Sequence, residues 1–408
     1  MSRALSAGSY RAVLALPFAL RTFVPAIGGR LAYGLFPLAT LFTVEQATDS
    51  FTTAGLAAAG FGVTTIAMPA KSRLAERYSQ RVALPPQALV CAAALTAATM
   101  IAEPVALIVL ITVAGLAAPP LGPAMRANWR RLAAGTSLKP RAYGLDSVVE
   151  EMLYLIGPLI TGLLVTVGPA RWALLLTAAL LLAGTLGMVA SPAARHREPT
   201  TRGEPVSRQP AARGKIFDPG PLRSPDLRRL LVVILAVGAG SSVAYTCLAV
   251  TAQDHGKPGA AGLLEASLAV GSVAGGLLWA RREHGRHRNR HLATLLGVLA
   301  AGLTAASAAP GLITLGLVLC ATGTALAPVY VIAYLAADDL AGAGSATEAG
   351  TWVNVAANAG SAAGAALAGI IAESLGASRG FLAGGALLAV TAGTVALTTH
   401  RPAPPNNG

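Results

Sequence analysis

The stretch AYGLDSVVEEMLYLIGPLITGLL, residues 142–164, opens with three carboxylates, Asp146, Glu150 and Glu151, and continues as an apolar run. Further apolar runs precede and follow it along the chain. In a soluble protein this stretch would be an ordinary core helix. In a bilayer, an ionisable group inside a spanning segment is costly and by default marks a functional site. The composition of the whole chain decides between these two interpretations.

That composition is typical of a polytopic membrane protein. The chain has 408 residues, of which 54% are hydrophobic and 12% are charged, and its mean hydropathy is +0.60. A soluble globular chain carries roughly 25% charged residues. The many Ala and Gly residues suit spanning helices that pack closely. The composition therefore argues against a soluble enzyme.

Sequence motifs for nucleotide chemistry and hydrolysis are missing. The chain contains no Walker A sequence, no dinucleotide fingerprint after a strand and no G-x-S-x-G, so we expect no cofactor and no enzymatic activity. His284, His287 and His291 lie in a strongly basic loop that would repel a metal cation. We expect neither a metal site nor a nucleic-acid partner.

Apolar runs long enough to cross a bilayer, which takes roughly 20 residues, occur twelve times. They span residues 23–44, 51–70, 83–102, 105–128, 143–168, 172–191, 230–252, 259–280, 292–309, 311–336, 347–373 and 378–398. TAGLAAAGF in segment 2 is echoed by AAGLLEASL in segment 8. These features predict an all-α integral membrane fold of two pseudo-symmetric six-helix bundles, residues 1–190 and 230–408, joined by a flexible linker over 191–229.

The positions of the basic residues predict the orientation. With both termini in the cytoplasm, 27 of the 31 Lys and Arg residues lie on the cytoplasmic side and three on the other side, and Arg30 lies within segment 1. Cytoplasmic loops carry such an excess of basic residues. We therefore expect a multi-pass protein of the inner (plasma) membrane, with anionic lipid headgroups as partners of the loop charges.

SRLAERYSQR, residues 72–81, resembles the G-x-L-A-D-R-x-G-R-R loop, motif A, of the major facilitator superfamily. The resemblance implies a twelve-helix transporter fold in which Glu76, Arg77 and Arg81 take part in a cytoplasmic latch, with Glu76 near the N-terminus of segment 11. From their position beside the basic loops, we add Asp146 and Arg126 as latch candidates.

GPLITG, residues 157–162, resembles part of motif C, which drug/proton antiporters of the same superfamily carry on helix five. This partial match to motif C favours export as the direction of transport. Glycine permits close helix contact and proline removes a backbone hydrogen bond. Gly157, Pro158 and Gly162 are therefore expected to pack and bend the helix where the two halves meet.

Three carboxylates are candidates for proton coupling, namely Glu150, Glu151 and Glu265. Glu150 and Glu151 begin segment 5 and point about 100° apart on a helix, whereas Glu265 stands alone among apolar neighbours in segment 8. The alternative for the segment 5 acids is a static or gating network with Arg77, Arg126 or Arg130. The balance between the desolvation of each carboxylate and the attraction of nearby positive charges decides between these two roles.

Polar side chains within the spanning segments are candidates for lining a substrate cavity. Arg30 is the basic residue that lies well inside a predicted span, where it is placed to pair with a carboxylate or to attract an anionic group. The resemblance implies that segments 7 and 10 line the cavity. The remaining candidates are Tyr245, Tyr330, Tyr334, Asn354 and Asn358.

The sequence thus predicts a secondary transporter, acting as a monomer, that exports a small amphipathic molecule in exchange for protons. One alternative is a symporter or facilitator that imports a polar solute. A second alternative is a receptor or assembly protein with the same fold and no transport activity.

Overall fold

The computed structural model describes residues 10–67, 71, 74, 78–192, 220–280, 288–340 and 346–398, and these residues are almost entirely helical. Each of the twelve predicted segments forms a helix, and segments 4 and 10 are each broken into two parts. After a short helix at Tyr10–Leu14, the N-terminal half contains α1 Ala19–Thr48, α2 Phe51–Val63, α3 Gln80–Ala98, α4a Pro104–Ala117, α4b Leu121–Leu132, α5 Lys139–Val167 and α6 Arg171–Ala190. The C-terminal half contains α7 Pro225–Asp254, α8 Ala260–Ala280, α9 Arg288–Ser307, α10a Leu312–Gly323, α10b Leu326–Leu340, α11 Ala346–Leu375 and α12 Ala377–Thr398.

Ten of these segments are long and apolar enough to cross a membrane, among the residues that the structure describes. α2 with its 3-10 continuation, Phe51–Ala67, is shorter. α9 begins with Arg288 and Arg290, which lower its mean hydropathy. The all-α membrane fold predicted from the sequence is confirmed.

α7 begins earlier than segment 7 was predicted to begin. Ser224 caps the helix because its side chain accepts a hydrogen bond from the Leu227 backbone N–H, and Pro225 occupies the first turn. Serine at the N-cap and proline in the first turn are strong start signals. The helix therefore includes residues 225–229, which the sequence analysis assigned to the linker.

The same helix pairs pack in both halves. α1 packs against α5 and α6, as α7 packs against α11 and α12, and α2 packs against α4a as α8 packs against α10a. Between the halves, the main contacts of the described helices join α2 to α11 and α5 to α8. These two contacts are equivalent under the pseudo-symmetry of the fold.

Glycines make both contacts between the halves possible. A Cβ atom on Gly55 of α2 would lie 2.3 Å from the Ala365 carbonyl oxygen of α11, and one on Gly262 of α8 would lie 2.1 Å from the Pro158 carbonyl oxygen of α5. We call the end of the bundle that contains these contacts and the start of α2 the sealed end. The basic end is the opposite one, where α5, α7 and α11 begin.

Close packing inside the N-terminal half depends on Gly157, and we expect Gly157→Ala to lower stability by about 1–3 kcal/mol through overpacking. A Cβ atom there would lie 2.3 Å from the carbonyl carbon of Gly34, where α5 crosses α1. Thermal unfolding of the purified protein measures the effect. Gly144→Ala on the same helix is the matched control, since nothing lies within 4 Å of its added Cβ. Equal melting temperatures for the two variants would contradict the prediction.

Candidate functional site

A cluster of two arginines and two carboxylates lies inside the N-terminal half. Arg30 of α1 contacts Asp146 of α5 at 2.7 Å and Glu150 at 3.0 Å, through its two terminal nitrogens. Arg126 of α4b contacts Glu150 at 2.5 Å and Asp146 at 3.6 Å. The side chains of Arg30 and Asp146 are 3% and 1% exposed. Because the formal charges cancel, the cluster is an internally compensated network.

Helical spacing and an aromatic cover explain this cluster. Asp146 and Glu150 are four residues apart, so they project from one face of α5 toward α1. The indole N–H of Trp129 donates to Asp146 over 3.3 Å. Trp129 is fully buried and packs edge-on against Phe23, with ring centroids 5.0 Å apart. The cluster therefore has fixed partners on three helices of one half.

Glu265 of α8 is a buried carboxylate without such compensation. It is 8% exposed, and its side chain forms neither a salt bridge nor a hydrogen bond with the residues that the structure describes. Tyr245 of α7 lies close enough to Glu265 and to Tyr330 to interact electrostatically with both. Glu265 follows Gly262 by about one turn, so it lies just inside the contact between α5 and α8. A lone carboxylate so placed can hold a proton or a cationic group.

Polar residues of α11 lie on the helix face that is directed toward the N-terminal half. Asn354, Asn358 and Ala362 share one helix face at a spacing of four residues. A Cβ atom on Gly62 of α2 would lie 3.0 Å from Cβ of Ala362, so this face is directed toward the N-terminal half. Asn354 and Asn358 are exposed, and the Tyr334 hydroxyl donates to Oδ1 of Asn354 over 2.6 Å. These side chains extend that face of α11 toward the basic end.

Three hydrogen bonds among the described residues join the halves at the sealed end, and the sequence pattern did not predict them. The side-chain amide of Gln253 donates to Glu45 over 2.6 Å. The Glu373 carboxylate at the end of α11 accepts from the Ser50 hydroxyl over 2.8 Å and from the Thr52 backbone N–H over 2.7 Å. Glu373 thus caps the N-terminus of α2 from the other half of the protein, where a negative charge is favoured.

The described latch candidates make their polar contacts within the N-terminal half. Arg81 donates to the Ala190 and Ser191 carbonyl oxygens, at 3.0 and 3.4 Å, and so caps the end of α6. Asp146 and Arg126 belong to the charged cluster. Glu76, Arg77 and the side chain of Glu151 lie outside the described residues.

The GPLITG segment faces two different neighbours. Gly157 packs against Gly34 of α1, whereas Pro158 and Gly162 pack against Gly262 of α8 and Gly259 just before that helix. Its packing role is thus divided between the interior of one half and the boundary between the halves. Helical periodicity separates these residues by face, but it does not identify the helix that each face meets.

Lys71 has a role that the sequence analysis missed. Pro119 and Pro120 break segment 4 and leave the carbonyl groups before them without their usual helical donors. The Lys71 ammonium, 9% exposed, donates to the carbonyl oxygens of Gly115 and Ala118 at 3.1 and 2.9 Å. The Tyr33 hydroxyl donates to the Pro119 carbonyl oxygen. The sequence signal for such a broken helix is a pair of prolines within an apolar run, together with polar residues in or beside other segments that can serve as donors.

Comparison with known proteins identifies the family. The profile of the Major Facilitator Superfamily matches residues 22–365. In a sequence comparison no curated protein matches the chain. The nucleoside transporter NupG is similar in structure, with a TM-score of 0.75, 14% identity, and coverage of 94% of this chain and 100% of that chain.

Two further solved structures share the fold. An auto inhibited POT family peptide transporter aligns with a TM-score of 0.66 and 12% identity, over 96% of this chain and 98% of that chain. The human organic anion transporter MFSD10 (TETRAN) aligns with a TM-score of 0.55 and 20% identity, over 94% and 99%. At these identities the structural neighbours establish the fold alone. With the profile match over most of its length, the chain belongs to the Major Facilitator Superfamily of transporters.

Proposed function

We propose that this protein is a proton-coupled exporter of a small amphipathic molecule, in which residues 1–190 rock against residues 230–400 around a central cavity. The proposal places it in the inner membrane with both termini in the cytoplasm, as the distribution of basic residues favours. In that orientation the sealed end faces away from the cytoplasm. An exporter in this conformation would load its substrate from the cytoplasmic side.

The observation that carries the coupling proposal is the contrast between Glu265 and the segment 5 acids. Asp146 and Glu150 each contact two arginines, so protonating either one would leave a buried positive charge uncompensated. Glu265 has no cationic partner among the described residues. It can therefore gain or lose a proton as the α5–α8 contact opens and exposes it to water. An intramembrane carboxylate of this kind is typical of a proton relay.

Two other functions remain as alternatives, and specific features bear on them. Transport of a polar solute is consistent with the structural neighbours, which include a nucleoside transporter and a peptide transporter. Export is favoured by GPLITG, residues 157–162, which resembles part of a motif of drug/proton antiporters. A receptor without transport activity would have no need for an uncompensated buried carboxylate.

Purified protein in proteoliposomes with an internal pH indicator tests the proposed function. The panel of compounds includes amphipathic molecules and polar solutes, each added at a range of pH gradients. Proton movement opposite to substrate supports the exporter, and proton movement with substrate supports the symporter. Uptake of labelled solute without proton movement supports the facilitator, and neither uptake nor proton movement across the panel supports the receptor.

The Glu373 cap is expected to stabilise the sealed conformation. Glu373→Ala removes the acceptor for Ser50 and Thr52, and loss of a helix cap costs about 1 kcal/mol, so we expect a roughly fivefold shift toward a conformation open at this end. Spin labels at Arg171→Cys and Lys257→Cys, in opposite halves, report the opening as a longer distance.

Glu103→Ala is the matched control for this prediction. Glu103 caps α4a by accepting from the Val105 and Ala106 backbone N–H groups, entirely within one half. Its loss should lower stability without changing the label distance. A distance distribution for Glu373→Ala that equals that of the unsubstituted protein would refute the role of the cap.

A further inference from the structure

A groove of about 940 Å³ lies in the C-terminal half at the basic end, outside the site described above. It is formed by the first turns of α7 and α9 and the last turns of α10b and α12. Its walls are apolar and include Val232, Val233, Leu292, Ile332 and Val390. Val232 and Val390 are each 67% exposed, so the groove presents an uncovered apolar surface.

Three arginines, Arg228, Arg229 and Arg288, lie at this groove. Arg229 and Arg288 each pair with one exposed aspartate at 2.9 Å, and exposed pairs contribute only about 0–1 kcal/mol. Arg228 has no ion pair within the described part of the chain. All three guanidinium groups are therefore available to a stronger anion.

We propose that this groove binds an anionic phospholipid of the cytoplasmic leaflet. The arginines hold the headgroup phosphate through charge-assisted hydrogen bonds, and an acyl chain lies along the apolar wall. A basic rim beside an apolar trough matches a ligand with a negative head and a hydrocarbon tail. The argument uses the predicted orientation and is independent of the transported substrate and of proton coupling.

Charge complementarity also decides against the other candidate occupant, the chain's own linker. Residues 193–219 contain six Lys or Arg residues against three Asp or Glu residues. Such a segment carries a net positive charge and would be repelled by the three arginines. A zwitterionic lipid fits the walls but lacks the net negative charge that the rim requires.

Native mass spectrometry of the detergent-purified full chain, titrated with phosphatidylglycerol, tests the proposal. Replacing Arg228, Arg229 and Arg288 by Gln should weaken binding about tenfold or more, given the contribution of each basic residue near a membrane surface. The matched control replaces Arg21, Arg130 and Lys139 by Gln, which removes the same charge from exposed positions predicted to lie on the same side. Equal loss in both triple variants, or no loss in the first, would overturn the site.

A second variant addresses the apolar wall without touching the arginines. Thr394→Trp places a large side chain in the groove at an exposed position. This variant should weaken the binding of phosphatidylglycerol and leave the binding of inorganic phosphate unchanged. Binding of phosphatidylethanolamine as tight as that of phosphatidylglycerol would overturn the charge requirement. Inorganic phosphate that displaces the lipid as effectively as short-chain phosphatidylglycerol would show a simple anion site and overturn the lipid assignment.

Discussion

Glu265→Gln is expected to abolish proton-coupled transport and to leave substrate exchange across the membrane intact. Glutamine keeps the size and hydrogen-bonding capacity of the side chain, but it neither releases nor accepts a proton. Substrate-driven proton movement in proteoliposomes should fall to the level of empty liposomes. Exchange of labelled for unlabelled substrate should continue and should no longer depend on pH.

Glu265→Asp and Glu150→Gln complete this experiment. The aspartate variant keeps an ionisable group and should retain coupling at a reduced rate. Glu150→Gln alters the compensated cluster, so we expect lower stability with coupling retained. If Glu150→Gln abolishes coupling and Glu265→Gln does not, the coupling site lies on α5 and our assignment is wrong.

The second large effect concerns the stability of the charged cluster. Arg30→Ala leaves buried Asp146 with Arg126, at the longer distance of 3.6 Å, as its cationic partner and with the Trp129 indole as a neutral donor. Loss of one partner of a buried ion pair costs about 3–5 kcal/mol. Arg30→Lys should also be destabilising, because one ammonium does not reproduce the two-pronged contact with Asp146 and Glu150. A thiol-reactive fluorophore that reports the exposure of buried Cys91 and Cys247 follows unfolding on heating.

Arg229→Ala is the matched control for Arg30→Ala. Its pair with Asp226 has the similar length of 2.9 Å, but both side chains are 64% exposed, so its loss should cost only about 0–1 kcal/mol. The double variant Arg30→Met with Asp146→Leu removes the buried charges together and should recover part of the lost stability. Equal melting temperatures for Arg30→Ala and Arg229→Ala would contradict the prediction.

The sequence was sufficient for the fold because the bilayer imposes a simple rule. Each apolar run of spanning length forms a helix whose polar backbone groups are satisfied internally, so counting the runs gives the architecture. The exceptions are local. α7 begins at Pro225 because Ser224 supplies a cap, and segment 4 breaks because two prolines follow one another.

Assignments within the site were harder to predict because they depend on partners from distant segments. The four-residue spacing places Asp146 and Glu150 on one face of α5, and the packing of α1 then decides that Arg30 meets them. Nothing near Glu373 in the sequence indicates that it caps α2, since Ser50 lies 323 positions away. Helix faces are local properties, whereas contacts between helices are properties of the assembled bundle.

The broken segment 4 has a consequence for biosynthesis. A carbonyl group without a donor costs several kcal/mol in hydrocarbon, and at the break the Ala118 carbonyl oxygen accepts from Lys71. Lys71 and Tyr33 also give second donors to the Gly115 and Pro119 carbonyl oxygens, which accept from backbone N–H groups as well. Both donors precede the break in the chain, so they have already left the ribosome when the two prolines emerge. We therefore expect segment 4 to settle in the lipid beside these earlier segments, so that the two prolines would set an order of assembly for the nascent N-terminal half.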